Sequence, residues 1–278
     1  MRRRWFIFLV LSIGALAAAL SLYRFPGLDF LRPGRRGAPA TTPATATSPA
    51  SMGVGGRVCL PLPRLRGDMS LEEALRRRRS VRDYSSMPVS LEELSQLLWA
   101  AYGVTETNWS LKTTPSAGGT YPLDIYVVVK EGGVSLSSGG FLAPGSYRYD
   151  FRSHCLELVR EGDLSDKLCE AALAQEWVRD AALNIVIFGV YERTTRRYGE
   201  RGYRYVYMEA GHASQNIYLQ ATALGLGTVA VGAFYDDEVK RVVGAAEGEP
   251  LYIMPVGRPV SLYDLREGEL RRYYEKNR

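Results

Sequence analysis

Histidine and cysteine are scarce in this chain of 278 residues, which has two His and three Cys. His154 and His212 are too few for a histidine-based metal centre without carboxylate help. Cys59, Cys155 and Cys169 form an odd, scattered set with neither a CxxC pair nor metal-ligand spacing, so they read as free thiols and no metal site is expected. Acidic residues are missing from the front of the chain. Residues 1–66 carry ten Arg and one Asp, which leaves 25 basic and 29 acidic side chains from residue 67 on. The formal net charge of +5 therefore hides a mildly acidic globular part, which argues against a nucleic-acid platform. A Walker loop, a GxSxG elbow and an HExxH helix are also absent.

One long hydrophobic run is present. Residues 5–23, WFIFLVLSIGALAAALSLY, are uncharged, about long enough to cross a bilayer as a helix, and preceded by Arg2, Arg3 and Arg4. Both a retained anchor and a cleaved signal fit, because small residues at 15–19 offer cleavage sites while the apolar length exceeds a usual signal core; the anchor is preferred. Arginines flank both ends, so the side of the membrane is left open. Arg3-Arg4-Trp5-Phe6-Ile7 also loosely resembles a twin-arginine export signal. The following Ala/Thr/Pro-rich stretch has too little apolar surface to order itself. The expected organisation is an anchor or signal over 1–24, a tether over 25–60 and one domain over 61–278.

Within the domain, Ser70-Leu-Glu-Glu73 and Ser90-Leu-Glu-Glu93 have the capping-box form that opens a helix. Leu91, Leu94, Leu97, Leu98 and Ala101 make an apolar stripe ended by Gly103. Between the two starts lies RRRRSVRDY, residues 76–84, whose arginine forks match phosphate oxygens; a solvated basic helix end gives the same letters. A turn-rich loop, TTPSAGGTYP at 113–122, offers Ser116, Gly118, Gly119 and Thr120 to a polar ring edge and leads into a strand at 123–129. Strands are expected at 147–150, 155–159, 183–190 and 251–256, and helices at 164–174 and from Asp236 to near Gly244. Residues 193–207 read as a polar connection.

The chain is organised around residues 209–234, EAGHASQNIYLQATALGLGTVAVGAF. Ala210, Ala213, Ile217, Ala221 and Leu224 recur at steps of three and four, one buried helix face ended by Gly225. Gly227, the run Val229–Val231 and Gly232 then read as a strand whose interior glycine admits another backbone or a flat ligand; a core helix and strand packed through small residues is the plainer alternative. Gly225, Gly227 and Ala230 satisfy GxGxxA, but a dinucleotide site needs the strand first and the helix second, and here the order is reversed. The mixture of helices and strands without strict alternation predicts an α+β layered domain.

Taken in order, RRSVRDY, PSAGGTYP, SYRYD with HCLELVREGD, RYGERGYRY, EAGHASQN, and ALGLGTVAVGAF ending in LYIMPVGRP resemble the nitroreductase superfamily of flavin enzymes. The resemblance covers about residues 71–259 and is nearest to the SagB-type branch, which includes azoline-oxidising dehydrogenases. It implies a central, mainly antiparallel mixed sheet flanked by helices, with FMN at a homodimer interface. Carried over by position, it implies that Arg78, Ser80 and Arg82 hold the FMN phosphate and ribityl chain or reach the pyrimidine edge. Ser116, Gly118 and Gly119 would line the ring. Ala230, Val231, Gly232 and Ala233 would form the wall beside it, with the Gly232 amide near flavin N5, and Arg258 is a further phosphate candidate. His212 and Asn216 also match family positions, although a helix-packing role fits His212 equally.

One position departs from the azoline oxidases, which carry a lysine–tyrosine pair where this chain has Arg197-Tyr198. Arginine is always protonated and is no ordinary base, so Tyr198 alone is left as an acid or water-orienting group; both residues fit a surface or dimer contact as well. The expected function is an FMN oxidoreductase passing hydride between N5 and a small organic or peptide-borne substrate. An azoline-to-azole dehydrogenase and a flavin-binding module without turnover are the alternatives.

Overall fold

The computed structural model describes residues 52–53 and 56–278. The expected anchor or signal and most of the expected tether lie outside the described residues. Among those described, no helix is long and apolar enough to cross a membrane.

Eight strands form one sheet: β1 (Met52–Gly53), β2 (Arg57–Cys59), β6 (Leu123–Val129), β8 (Gly145–Asp150), β9 (Cys155–Glu161), β10 (Leu183–Gly189), β11 (Gly227–Thr228) and β12 (Glu249–Gly257). They lie in the order β1-β2-β9-β8-β6-β10-β12-β11, and every neighbouring pair is antiparallel. Two small pairs stand apart, β3 (Val89–Ser90) with β7 (Val134–Ser135) in parallel and β4 (Val104–Glu106) with β5 (Leu111–Lys112) antiparallel.

The central strands are apolar at every second position on both faces, because both are covered. From β6 and β10, Ile125, Val127, Ile185 and Ile187 enter one core, while Tyr126, Val128, Val186 and Phe188 enter the other. The first core lies under α2 (Leu91–Tyr102) and α6 (Arg201–Ala223), through Leu94, Leu98, Ala213 and Ile217. The second lies under α3 (Ser165–Ala171), α4 (Glu176–Asp180) and α7 (Asp236–Val243), through Leu168, Val178 and Val239. Three further helices are α1 (Leu71–Arg77), α5 (Glu192–Tyr198) and α8 (Glu267–Lys276). The expected α+β layered fold with a central antiparallel sheet is what the chain adopts.

Helix starts follow their caps. Ser90 and Glu93 form the complete reciprocal box, whereas at Ser70 the serine half is made, its oxygen accepting from Glu73 N–H. Asp163 accepts from both Ser165 N–H and its hydroxyl, and the helix it opens is shorter than expected, ending at Ala171.

Three expectations are overturned. Cys59 and Cys155 are not free thiols but a disulfide, because β2 and β9 pair in a register that sets them directly opposite, with Cα atoms 4.0 Å apart. Cys169 is free and buried. The polar connection at 193–207 is a helical hairpin, α5 running through Gly199 at φ 55° into α6. Its helices cross so closely that a Cβ on Gly202 would lie 2.8 Å from the Thr195 Cα. Finally, the strand expected at 229–231 stops after Thr228, and only Val231 regains the sheet, in a single bridge to Ile253.

Candidate functional site

The arginine-rich segment leaves α1 in extended form and runs beside β11. Ser80 bridges Thr228 in parallel, and Val81 N–H donates to Thr228 O at 2.9 Å. Extended backbone turns alternate side chains to opposite sides. Val81, with Arg77 and Arg79, faces a cavity of about 180 Å³ closed by Leu262, Tyr263 and Asp264. A Cβ on Gly227 would lie 2.7 Å from Val81, so that glycine admits a neighbouring strand, not a ligand. Tyr218, which also lines this cavity, has its Oη 3.0 Å from Ser80 Oγ and its ring centre 5.3 Å from the Arg78 guanidinium. The same Tyr218 oxygen accepts from Ala230 N–H at 2.7 Å. Tyr218 thus ties the arginine segment to the expected wall of Ala230, Val231, Gly232 and Ala233.

Arg82 stacks over Trp177, 5.4 Å from its ring centre. Arg258 pairs with Glu93, its Nη2 donating to Glu93 Oε2 at 2.8 Å, while its buried Nε has no partner. Gly232 faces a cavity of about 470 Å³ lined also by Tyr191, Tyr207, Ala210 and Phe234. A Cβ built on Gly232 would meet only the edge of Tyr252, at 3.8 Å.

A second group assembles elsewhere. Gly118, at φ 61°, sits so close to α5 that an added Cβ would collide with the Tyr198 hydroxyl and lie 3.0 Å from the Arg197 guanidinium carbon. Arg197 Nη1 donates to Gly118 O at 3.1 Å. Ser116 and Ala117 line a cavity of about 270 Å³ with Tyr205, Met208, Glu209 and His212. Asn216 anchors the start of this loop, donating to Thr113 O and Thr114 Oγ1. Arg197 and Tyr198 therefore lie against Gly118 in the Ser116–Gly119 loop.

The two groups occupy opposite flanks of α6. A helix turns about 100° per residue, so Tyr205, Met208, Glu209 and His212 share one flank, while Tyr207, Ala210 and, about three turns on, Tyr218 share the other. The helix body, roughly 10 Å across, separates them within one chain. Between the flanks α6 presents an outward face on which Tyr207 is 55% and Met208 51% exposed, and a Cβ on Gly211 would touch nothing.

Sequence reasoning missed Tyr218 and the weight of Glu209. Tyr218 stands beside the small-residue stripe of α6 as a buried side chain with one polar atom, which marks a required hydrogen bond. Glu209 lies four residues before Ala213, hence on the buried face, a costly place for a carboxyl. Burial pushes the Glu209 carboxyl above its ordinary range, opposed by hydrogen bonds from Ser116 and Tyr102 and by the charge of Lys112. Lys112 carried no local signal. Its ammonium is pulled down to about 7 by burial, opposed first by Glu209.

Comparison with known proteins supplies the family. The family described as "Nitroreductase family" matches residues 75–258. The chain belongs to the nitroreductase family. It is 48% identical over 194 residues, 69% of its own length and 93% of the other's, to MJ1384 of Methanocaldococcus jannaschii, a protein whose name carries the same family word. The chain is also similar to the trifolitoxin operon protein TfxC of Rhizobium leguminosarum bv. trifolii, at 26% identity, and there it spans 66% of this chain but only 54% of the relative. A crystal structure from Ralstonia eutropha JMP134, described as a nitroreductase, superposes with a TM-score of 0.63 at 29% identity, covering 78% of this chain and 96% of that one. The family is generally one of flavin-dependent oxidoreductases.

Proposed function

We propose that this chain is an FMN-dependent oxidoreductase that works as a homodimer. The observation that carries the reading is Gly232. Its backbone is not in a glycine-only conformation, and no packing within the chain excludes a side chain there. What glycine provides at that point is open space over a backbone N–H with no acceptor among the described residues, a fit for a flat aromatic ring whose edge accepts a hydrogen bond. The residues around it suit the rest of FMN. Arg78 and Arg82 present guanidinium forks for a phosphate, and Ser80, held by Tyr218, presents a hydroxyl to the ribityl chain.

When bound, FMN supplies a two-electron carrier that takes up and returns hydride. The chain's part is to hold and tune it. Gly232 N–H, without an acceptor among the described residues, would be the donor available to the ring edge. Val231 and Ala233 form an apolar wall, and Arg258, paired with Glu93, lends positive charge at the phosphate end without spending all its donors. Arg197 orients a polar substrate group as a pure donor, and Tyr198 serves as acid or water-orienting group. The substrate proposed is a small organic or peptide-borne molecule, which would exchange hydride with the bound FMN.

The split site supports the dimer. With Ser116, Gly118 and Gly119 on the flank away from Gly232, a second copy packed on the outward face of α6 brings its loop flank to the first copy's wall flank. The exposed Tyr207 and Met208 and the side-chain-free Gly211 suit such helix packing. The N-terminal apolar run supports a membrane anchor or an exported form, and the Cys59–Cys155 disulfide suits an oxidising compartment.

Azoline oxidation is the narrower reading. The resemblance of its motifs to the SagB-type branch keeps it in view, while Arg197 in place of a basic lysine weighs against it. The test of the main reading uses residues 55–278: visible spectrum, cofactor extraction and light scattering, followed by reoxidation of the reduced protein with quinones, nitroarenes and oxygen. A yellow dimer releasing FMN and turning over an acceptor is expected. A folded monomer that takes up no added FMN would overturn the proposal, and FMN held without reoxidation by any acceptor would leave a binding module instead.

A further inference from the structure

Apolar side chains left in water gather at the edge of the domain where the chain enters it. Beyond β2 the segment 60–66 meets α2, which pins its backbone. Ser95 Oγ donates to Pro61 O at 2.5 Å, His154 Nε2 lies 3.0 Å from the same oxygen, and Arg64 N–H donates to Gln96 Oε1 at 2.8 Å. Ser95 and Gln96 are buried polar residues of α2, so the helix interior is committed to holding this segment. Held in this way, Leu62 is 80% and Leu65 81% exposed. Both line a cavity of about 630 Å³ together with Trp99, Val104, Tyr149 and Phe151.

The β4–β5 hairpin borders the same cavity through Thr107 and Ser110. Glu106 fixes its tip, its carboxylate accepting from Asn108 N–H at 2.9 Å and from Trp109 N–H at 2.7 Å. Trp109, between the two bordering residues, stands 73% exposed. Apolar residues exposed singly are ordinary, but two leucines and a tryptophan around one cavity mark an interaction surface. The charge beside them is positive. Arg64 and Arg66 flank Leu65, and Arg152 lines the cavity; all three are exposed, and among the described residues none joins an ion pair. Of the nearby carboxylates, Glu106 is engaged by its own hairpin and Asp150 by Arg57 and Ser153, which leaves Asp68 as the exposed acid beyond the segment.

We propose that this edge docks on the surface of a lipid bilayer that carries anionic headgroups. Leu62, Leu65 and Trp109 enter the interface, and Arg64, Arg66 and Arg152 meet the headgroup charge. Tryptophan and leucine beside unpaired arginine is the composition that suits a bilayer surface. The chain itself supplies a second argument. Residues 5–23 are apolar and about long enough to cross a bilayer, and only residues 24–51 separate them from β1, which with β2 forms the sheet edge leading into this segment. From residue 67 on, acidic side chains outnumber basic ones by 29 to 25, so an anionic surface repels the body of the domain and accepts it by this edge. The inference goes beyond the flavin reading and does not rest on it.

The test is hydrogen–deuterium exchange of the full chain in phosphatidylcholine vesicles, without and with about one-third phosphatidylglycerol. Amides of 62–66 and 104–111 are expected to exchange about 5-fold or more slowly in the anionic vesicles, while those of α7, on the opposite face of the sheet, keep one rate. Arg64→Gln/Arg66→Gln/Arg152→Gln should remove the difference between the two vesicle types. Leu62→Ser/Leu65→Ser/Trp109→Ser should remove the slowing in both and keep the melting temperature, since these side chains are exposed. Trp109→Ser alone, at a hairpin tip, makes the same test should the triple variant fail to fold. Equal rates in the two vesicle types, slowing shared by α7, or slowing that survives both sets of substitutions would overturn the proposal. Slowing that needs no lipid and grows with protein concentration would also overturn it, in favour of a second copy on this edge.

Discussion

The two flanks of α6 are built from different materials. On the wall flank the polar work is done by a neutral tyrosine, a serine and backbone N–H groups, with arginines at the edge in reach of water. On the loop flank a carboxyl and an ammonium are buried within one network, and both are displaced from their ordinary ranges. Hydroxyl and backbone N–H groups donate hydrogen bonds without a net charge to bury. Buried ionisable groups cost stability and are sensitive to pH. The difference separates two kinds of burial: one flank is held by neutral hydrogen bonds, the other is built around buried ionisable groups.

The largest expected effect breaks the grip. Arg78→Ala/Arg82→Ala removes two guanidinium groups that carry no structural ion pair among the described residues. Charge-assisted hydrogen bonds contribute about 1.5–3 kcal/mol each, so FMN affinity should fall by about 100-fold or more while the apoprotein keeps its melting temperature. Titration of apoprotein with FMN by fluorescence quenching checks the first part and calorimetry the second. Loss of folding together with binding would show that the segment is part of the scaffold.

How far the sequence foretold this comparison depends on the range of each signal. Caps, stripes and glycine stops are local. They placed α2, the end of α6, and the strands β6, β10 and β12, while Arg78, Ser80, Ser116, Gly118 and Gly232 entered as candidates through the family resemblance. The split of these residues between two flanks was not visible, because it depends on where α6 begins. Its first two turns are rich in arginine and tyrosine and read as a connection, and the close approach of Gly202 to Thr195 that makes them a hairpin is a tertiary fact. The Cys59–Cys155 pair spans 96 residues and is created by strand register. Lys112 stands in a stretch with no periodicity, and only the meeting of β5 with Tyr102 and Phe151 turns it into a buried cation.

A smaller effect sharpens the contrast in pH behaviour. Lys112 in the fold is held at about 7, below its unfolded value of 10.5. Between these values the unfolded chain binds the extra proton, so stability rises with pH across that window, and the penalty is greatest below 7. Lys112→Met has no such proton. Relative to the variant, the wild-type chain should gain about 2 kcal/mol between pH 7 and pH 9, measured by urea unfolding of both at each pH. Parallel curves would mean that the ammonium is solvated in the native state. The wall flank offers no counterpart: Tyr218→Phe should shift stability by about 1–2 kcal/mol equally at both pH values, because it strands the Ala230 N–H whatever the pH.

The smallest expected effect is the most specific. Gly232→Ala adds one methyl where the chain's nearest atom is 3.8 Å away and the backbone is not strained. Unfolding stability should therefore change by no more than about 0.5 kcal/mol, the range of a surface substitution remote from special features. If a flat ring rests on the backbone there, the same methyl stands where the ring must lie, and FMN affinity should fall by about 10-fold or about 1.4 kcal/mol. The matching change on the other flank behaves in the opposite way. Gly118→Ala sets its methyl into Tyr198 and Arg197 at a positive φ, so it should destabilise the apoprotein before any ligand is present. Two glycines, one free of its own chain and one pressed against it, thus distinguish a surface that receives a ligand from one that presents side chains to it. Equal losses of folding stability at both positions would remove that distinction.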